Sequence, residues 1–421
     1  MTYETFLARI EHADAFERLD ALDALGMEAD AHTIAQAAAR LLADEDPGVR
    51  EEAAMLLENL ATEEAAALIV PYIASDDITI RNLAGEVLVK IGAPAVDALV
   101  PRIDDDHHDV RKFAIDVLAQ LPAQHLADRI AARLDDSDDN VVLAAVDALG
   151  DLRAVEHHDA LRALYDRRPL ARPGIVAAIG AFGSEANLDF LEQALADEDP
   201  VVQYTAAEAL AQQHQPEVLD LLLRKIDGVD PMARPIVLSS IIKFNELDPY
   251  PAPLPASIKG YLVEMLDDFD LEYRCAAVHG LQFFLDDETV DAMMAYAGRE
   301  DALDLEMFKT LAVYPDIFHR IVANVEAERV TAQAATGFVL GFLAQQIIPD
   351  EDTDAVSGFL TSHFEALDAE TKVAAIGLSQ SLQHPALHAV IHAGLADLDT
   401  EVNSFAADAA YALGLDPSQA A

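Results

Sequence analysis

Apolar residues return along this chain at helical spacing, in short bursts separated by acidic turns. In LADEDPGVREEAAMLLENL, residues 42–60, Val49, Ala53, Leu56 and Leu60 fall at i, i+4, i+7 and i+11, one face of a helix. Asp46 stands just before it, placed to accept from backbone N–H groups that have no partner inside the helix. Pro47 takes the first helical position, where its missing N–H costs nothing. EEAAALIVPYIA at 63–74 predicts a further helix, so the unit is a helix pair.

The opening LADEDP recurs at 195–200, and intermediate copies fill the gap: DEDPGVR at 44–50, SDDITIR at 75–81, DDHHDVR at 105–111, DSDDNVV at 136–142, RRPLAR at 167–172 and DEDPVVQ at 197–203. DGVDPMAR at 227–234 follows, and Val49, Ile80, Val110, Val141, Ala171, Val202 and Ala233 mark steps of 30 or 31 residues. A helix pair cannot bury its apolar faces alone, but a stack can. The expected fold is an all-α, right-handed α-solenoid of about twelve helix pairs. Residues 1–30 are expected to form a helical N-terminal cap and 31–247 the regular repeats. DPYPAPLP at 248–255 reads as a Pro-rich insertion, and 256–421 as divergent repeats. Seventeen of the 26 aromatic residues lie after residue 240, which reads as a bulkier core there or as a partner groove.

The pattern D-x-D-P-x-V-R-x-x-A-A at 44–54 resembles the HEAT-repeat family, in particular the short bacterial and archaeal type named after phycobilisome lyases. The resemblance implies HEAT-like pairs whose second helices line a concave face. Arg50, Arg81, Arg111, Arg172, Arg234 and Arg274 match the family's repeated Arg, which implies a structural ladder to acids of the adjacent repeat.

Charge changes the picture next. With 76 acidic and 27 basic residues, the formal net charge is −49, which repels nucleic acid and anionic membranes. It reads as halophilic adaptation of the whole surface to a salty cytoplasm or as an acidic face that recruits a basic partner. The single Cys275 excludes an intrachain disulfide. The N-terminus shows no apolar signal core, and the longest apolar stretch, 337–344, is too short to span a bilayer, so a soluble cytoplasmic protein is expected.

Catalytic and metal chemistry find little support. The repeat type also resembles deoxyhypusine hydroxylase, whose metals are held by His-Glu pairs, but no His here precedes Glu. His384, His388 and His392 at i, i+4, i+8 have a metal-compatible spacing, with His384 capping before Pro385 as the plainer reading. The acidic runs 135–140 and 350–355 lack the Gly and bidentate Glu of a calcium loop. No catalytic residue, metal ligand or cofactor is assigned.

One turn breaks the pattern. Asp46, Asp77, Asp138, Asp199, Asp230 and Asp270 share the capping phase, whereas RALYDRRPLARPGI at 162–175 puts Arg168 there. A cation opposes the helix dipole at that end, and Pro173 disfavours helix at Arg172, so a late-starting helix is expected. Arg153, Arg162, Arg167, Arg168 and Arg172 form the candidate partner-binding cluster, or else neutralise the flanking acidic turns. The remaining turns carry more acids than capping needs, read as surface adaptation or a cation-binding strip. The function expected is a non-enzymatic scaffold that binds another protein, with no nucleic acid or membrane partner and the oligomeric state open. The alternative is a bilin-lyase-like enzyme subunit acting on a tetrapyrrole-bearing protein.

Overall fold

The computed structural model describes residues 9–12, 14–183, 187–213, 216–247 and 253–415. Among them are twenty-five α-helices and no strand, an all-α solenoid. In chain order one helix, Ala15–Glu28, is followed by twelve pairs. Two compact units divide the chain, residues 1–221 with 227–233 and residues 222–226 with 234–421. Most of the expected Pro-rich insertion, residues 248–252, lies outside the described residues.

In the first unit the second helices are Pro47–Leu60, Ile78–Ile91, His108–Ala119, Asp139–Asp151, Arg172–Ala181 and Pro200–Ala211. Along this series each second helix packs on the next. Small residues set that spacing. A Cβ on Gly180 would lie 2.5 Å from that of Ala209, and one on Gly150 would lie 3.0 Å from Ala178, so the backbones meet where no larger side chain fits. The first helices are mostly shorter, and several run on into 3₁₀ turns, among them Val70–Ala74 and Val100–Asp104. Pro71 and Pro101 stand at the break, where a missing N–H ends the α-helical ladder.

Ala15–Glu28 belongs to the same scheme. Asp14 caps it, and Arg18 follows four residues later, the spacing of Asp46 and Arg50. It packs on Pro47–Leu60 as one second helix packs on the next. This helix thus takes the place of a second helix.

In the second unit Arg234–Leu247 is followed by second helices Leu271–Leu281, Asp301–Leu311, Ala332–Ala344, Ala369–Leu382 and Thr400–Leu413. Here aromatic rings fill the space that alanine leaves in the first unit. Phe308 stacks on Phe342 with centroids 4.5 Å apart, and Phe318 meets Phe359 edge-on at 6.2 Å. The bulkier core expected from the aromatic content is present.

Capping follows the expected phase. Asp46, Asp77, Asp138, Asp199 and Asp270 each accept a backbone N–H of the first turn, and Asp230 accepts that of Met232 at 2.9 Å. His107 replaces Asp in the third repeat, its Nδ1 accepting the Asp109 N–H at 3.3 Å.

Candidate functional site

The extra acids of the turns have structural work. Asp44, Asp105, Asp136, Asp197, Asp268 and Asp397 stand two residues before the cap and accept its backbone N–H at 2.9–3.1 Å. Several also receive a cation from the preceding repeat. Arg18 donates to Asp44 at 2.7 Å, Arg111 to Asp136 at 3.0 and 2.7 Å, and Lys372 pairs with Asp397 at 2.8 Å. Arg274 reaches Glu300 in the same way at 2.7 Å. Burial alone would raise the Asp136 carboxyl, but the bonds from Arg111 and the Asp138 N–H outweigh it and hold it below the usual carboxylate range. Of the six arginines expected to form the ladder, Arg111, Arg172, Arg234 and Arg274 pair with an acid of the next repeat, whereas among the described residues Arg50 and Arg81 make no such pair.

The same position also closes its own turn. Arg50 donates to the Asp44 carbonyl at 2.7 Å, Arg111 to that of Asp105 at 2.9 Å, and Gln203, in the arginine's place, to that of Asp197 at 2.6 Å. The fourth repeat has Val142 there, which can donate nothing. Arg168 supplies the bond from the next repeat, its Nη2 donating to the Asp136 carbonyl at 3.2 Å and its Nη1 to the Asp139 carboxylate. The reversed charge of the fifth turn complements a missing arginine one repeat earlier. As expected, the helix there starts late, after a 3₁₀ turn Pro169–Ala171 and without a side-chain cap, but Pro173 does not keep Arg172 out of it, for Arg172 is its first residue in right-handed helical backbone.

The five candidate arginines do not form one cluster. Arg167 joins Arg168 on the turn and pairs with Asp135 at 3.1 Å. Together they frame a pocket of about 130 Å³ beside Leu170, which is 70% exposed. Arg162 and Arg172 face the sixth repeat instead. Arg162 donates to Asp189 at 2.8 and 3.3 Å and lies over the Phe190 ring. Arg172 lies over Tyr165 and reaches Asp197 at 3.4 Å, where the Tyr165 hydroxyl also donates at 2.5 Å. Arg153 is exposed, in left-handed backbone just beyond the far end of helix Asp139–Asp151, about 20 Å from the turn at 1.5 Å per residue.

The second-helix faces carry two grooves. In the first unit a groove of about 670 Å³ separates Pro47–Leu60 from Ile78–Ile91, with Met55, Ile78 and Leu83 among its lining and Glu51, Glu58 and Glu86 as its acids. In the second unit a groove of about 520 Å³ lies along Asp301–Leu311 and Ala332–Ala344. The sequence reading did not single out these residues. Nor did it single out Phe269 and Leu398, each almost wholly exposed within a D-x-D turn. Their signal was an apolar residue where Glu45, Asp106 and Glu198 stand in other turns.

Among the described residues, two groups bring three ligand atoms within 4.8 Å of one another: His107, His108 and Asp109, and Asp316, His319 and Asp352. Each group is largely exposed. His384 caps the 3₁₀ turn Pro385–Leu387, so it does not share a helix with His388 and His392.

The fold and these repeated contacts define a class, the α-solenoid, and its sequence type follows. Residues 34–115, 96–172 and 159–240 match HEAT repeats, so residues 34–240 are built of them. No curated protein matches the chain in sequence. Among solved structures, the karyopherin Kap121p bound to RanGTP is 13% identical with a TM-score of 0.56, over 98% of this chain and 52% of that one. Kap121p by itself is 13% identical with a TM-score of 0.50, over 97% and 48%. Kap121p bound to Pho4p is 12% identical with a TM-score of 0.50, over 97% and 54%. This chain spans about half the length of those structures, and the likeness is one of fold.

Among the described residues, no helix is long and apolar enough to cross a membrane.

Proposed function

We propose that the chain is a non-enzymatic scaffold that binds another protein through its second-helix faces. The observation that carries this reading is the pair of open grooves with apolar residues on an otherwise charged face, at Met55 and Ile78 in one unit and at Leu305 and Phe308 in the other. Packing leaves these side chains uncovered, and contiguous apolar surface rimmed by polar groups is what a partner covers. Kap121p, of the same fold, is seen with RanGTP bound; only the class of partner, a protein, is carried over from it.

A second surface is favoured by Leu170. It is exposed between Arg168 and Arg172 on the fifth turn, and the ion pairs of Arg167 and Arg168 are with exposed acids. Pairs of that kind hold weakly and can be exchanged for the carboxylates of an acidic partner. We assign the acidic surface to a high-salt cytoplasm.

Affinity capture from extract of the source cells at native salt, read by quantitative mass spectrometry, tests both surfaces. One variant changes Arg167, Arg168 and Arg172 to Ser; another changes Met55 and Leu305 to Lys. Loss of a partner from the first variant assigns the arginine turn, and loss from the second assigns the grooves. A chain that retains no protein overturns the scaffold reading, and a visible absorbance band on the purified protein turns attention to the tetrapyrrole alternative.

A further inference from the structure

We infer that the groove along helices Asp301–Leu311 and Ala332–Ala344 docks an extended peptide segment that carries an aliphatic or aromatic side chain next to a lysine or arginine. This deepens the scaffold reading and rests on it.

The floor is apolar and preformed. Leu305 is 57% exposed at its edge, and Phe308 lies half-buried beside it. The Phe308 ring is fixed from below by its stack on Phe342, with planes 12° apart, and by Phe338 at 6.4 Å. A rigid aromatic floor needs no ordering when a side chain lands on it.

Two glycines one helical turn apart make the opening, and only one is explained by the fold. At Gly341 a Cβ would sit 2.5 Å from Phe308, so its absence lets the ring lie against the helix backbone. At Gly337 nothing lies within 4 Å of where a Cβ would be. A glycine inside a helix is less stable than an alanine there, and no internal contact offsets that at Gly337. What it leaves is bare helix backbone on the groove wall, open to a ligand. Neighbouring helix axes stand about 8–10 Å apart, so the furrow between them suits the side chains of an extended strand better than a helix about 10 Å across.

The rim selects charge. Its ionisable members are Asp301 and Asp304, and no Lys or Arg lines the groove. Asp304 accepts the Gly298 N–H with both carboxylate oxygens, at 2.9 and 3.0 Å, which holds it at the rim. Burial, and then the charge of Asp301, push its carboxyl above the usual range, and an arriving cation offsets the repulsion between the two carboxylates. Thr331, Gln333 and Thr371 complete the rim without charge, and an acidic or phosphorylated segment is repelled.

The test pans a phage-displayed random nonapeptide library on the full chain, then measures the selected peptides by fluorescence polarisation. The expected result is enrichment of an apolar residue adjacent to Lys or Arg. Gly337→Leu puts a side chain into the groove from a position where a Cβ meets nothing within 4 Å, and should weaken those peptides at least tenfold without lowering the melting temperature. Asp301→Lys, at an exposed position, should weaken them severalfold, whereas Met55→Lys in the other unit should leave them unchanged. Enrichment of acidic peptides, no enrichment, or equal binding to both groove variants would overturn the inference. A natural partner still captured by Gly337→Leu also overturns it while leaving the scaffold reading in place, which fails only if the chain captures no partner.

Discussion

Asp136 shows how much one residue of these turns has to do. Its carboxylate accepts the Asp138 N–H and two N–H groups of Arg111, and its carbonyl takes a third arginine bond from Arg168. Arg111 and Asp136 are both buried, so removing Arg111 leaves the Asp136 carboxylate desolvated, with Arg133 at 3.7 Å as its remaining cation. Arg111→Ala is therefore expected to cost about 3 kcal/mol in urea unfolding, the lower end for a broken buried pair. Arg168 is more exposed, and Arg168→Ser is expected to cost less than about 1 kcal/mol. An equal loss in the two variants would refute this division. The pH dependence has a definite sign. Because folding depresses Asp136, its contribution is present above the unfolded carboxyl value of about 4 and is lost as pH falls through the lower folded value. Asp136→Asn should remove that part of the acid-side loss, as read from unfolding midpoints between about pH 2 and 6.

At the scale of the element, a glycine's effect depends on which face of a second helix it occupies. Gly180 lies where a Cβ would meet Ala209, so Gly180→Val should overpack the contact and cost about 1–3 kcal/mol. Gly337 is on the open face, and Gly337→Ala should stabilise by about 0.5–1 kcal/mol through helix propensity alone. Thermal melts of the two variants should shift in opposite directions. Helix starts obey a similarly local logic. Asp46 and Pro47 start a helix at once, whereas Arg168 and Pro169 delay it to Arg172.

For the whole molecule, a net charge of −49 is a distributed repulsion that the ladder pairs relieve only locally. Salt shortens its range from about 10 Å at 0.1 M to about 3 Å at 1 M. The melting temperature should accordingly rise steeply between low and molar KCl, and a flat response would show that the repulsion does not limit stability. Nearest-neighbour packing dominates in such a fold, so each of the preceding variants should act mainly on its own repeat and the two beside it.

Much of this protein is determined by sequence within a single repeat. The period, the helix pairs, the aspartate caps and the late helix at Arg172 depend on residues a few positions apart, and helical geometry relates such residues without reference to the rest of the chain. The arginine ladder was implied by the resemblance to HEAT repeats, and Arg111–Asp136 is one of its rungs. What only tertiary structure decided is the register of one repeat on the next. That register lets Arg168 answer for Val142, turns Arg162 and Arg172 toward the sixth repeat, and leaves Arg153 apart from both groups. It also separates Gly341, covered by Phe308, from Gly337, which faces an open groove. Both are glycines in one helix pattern, and only the packing of the neighbouring helix distinguishes a close contact from a vacancy.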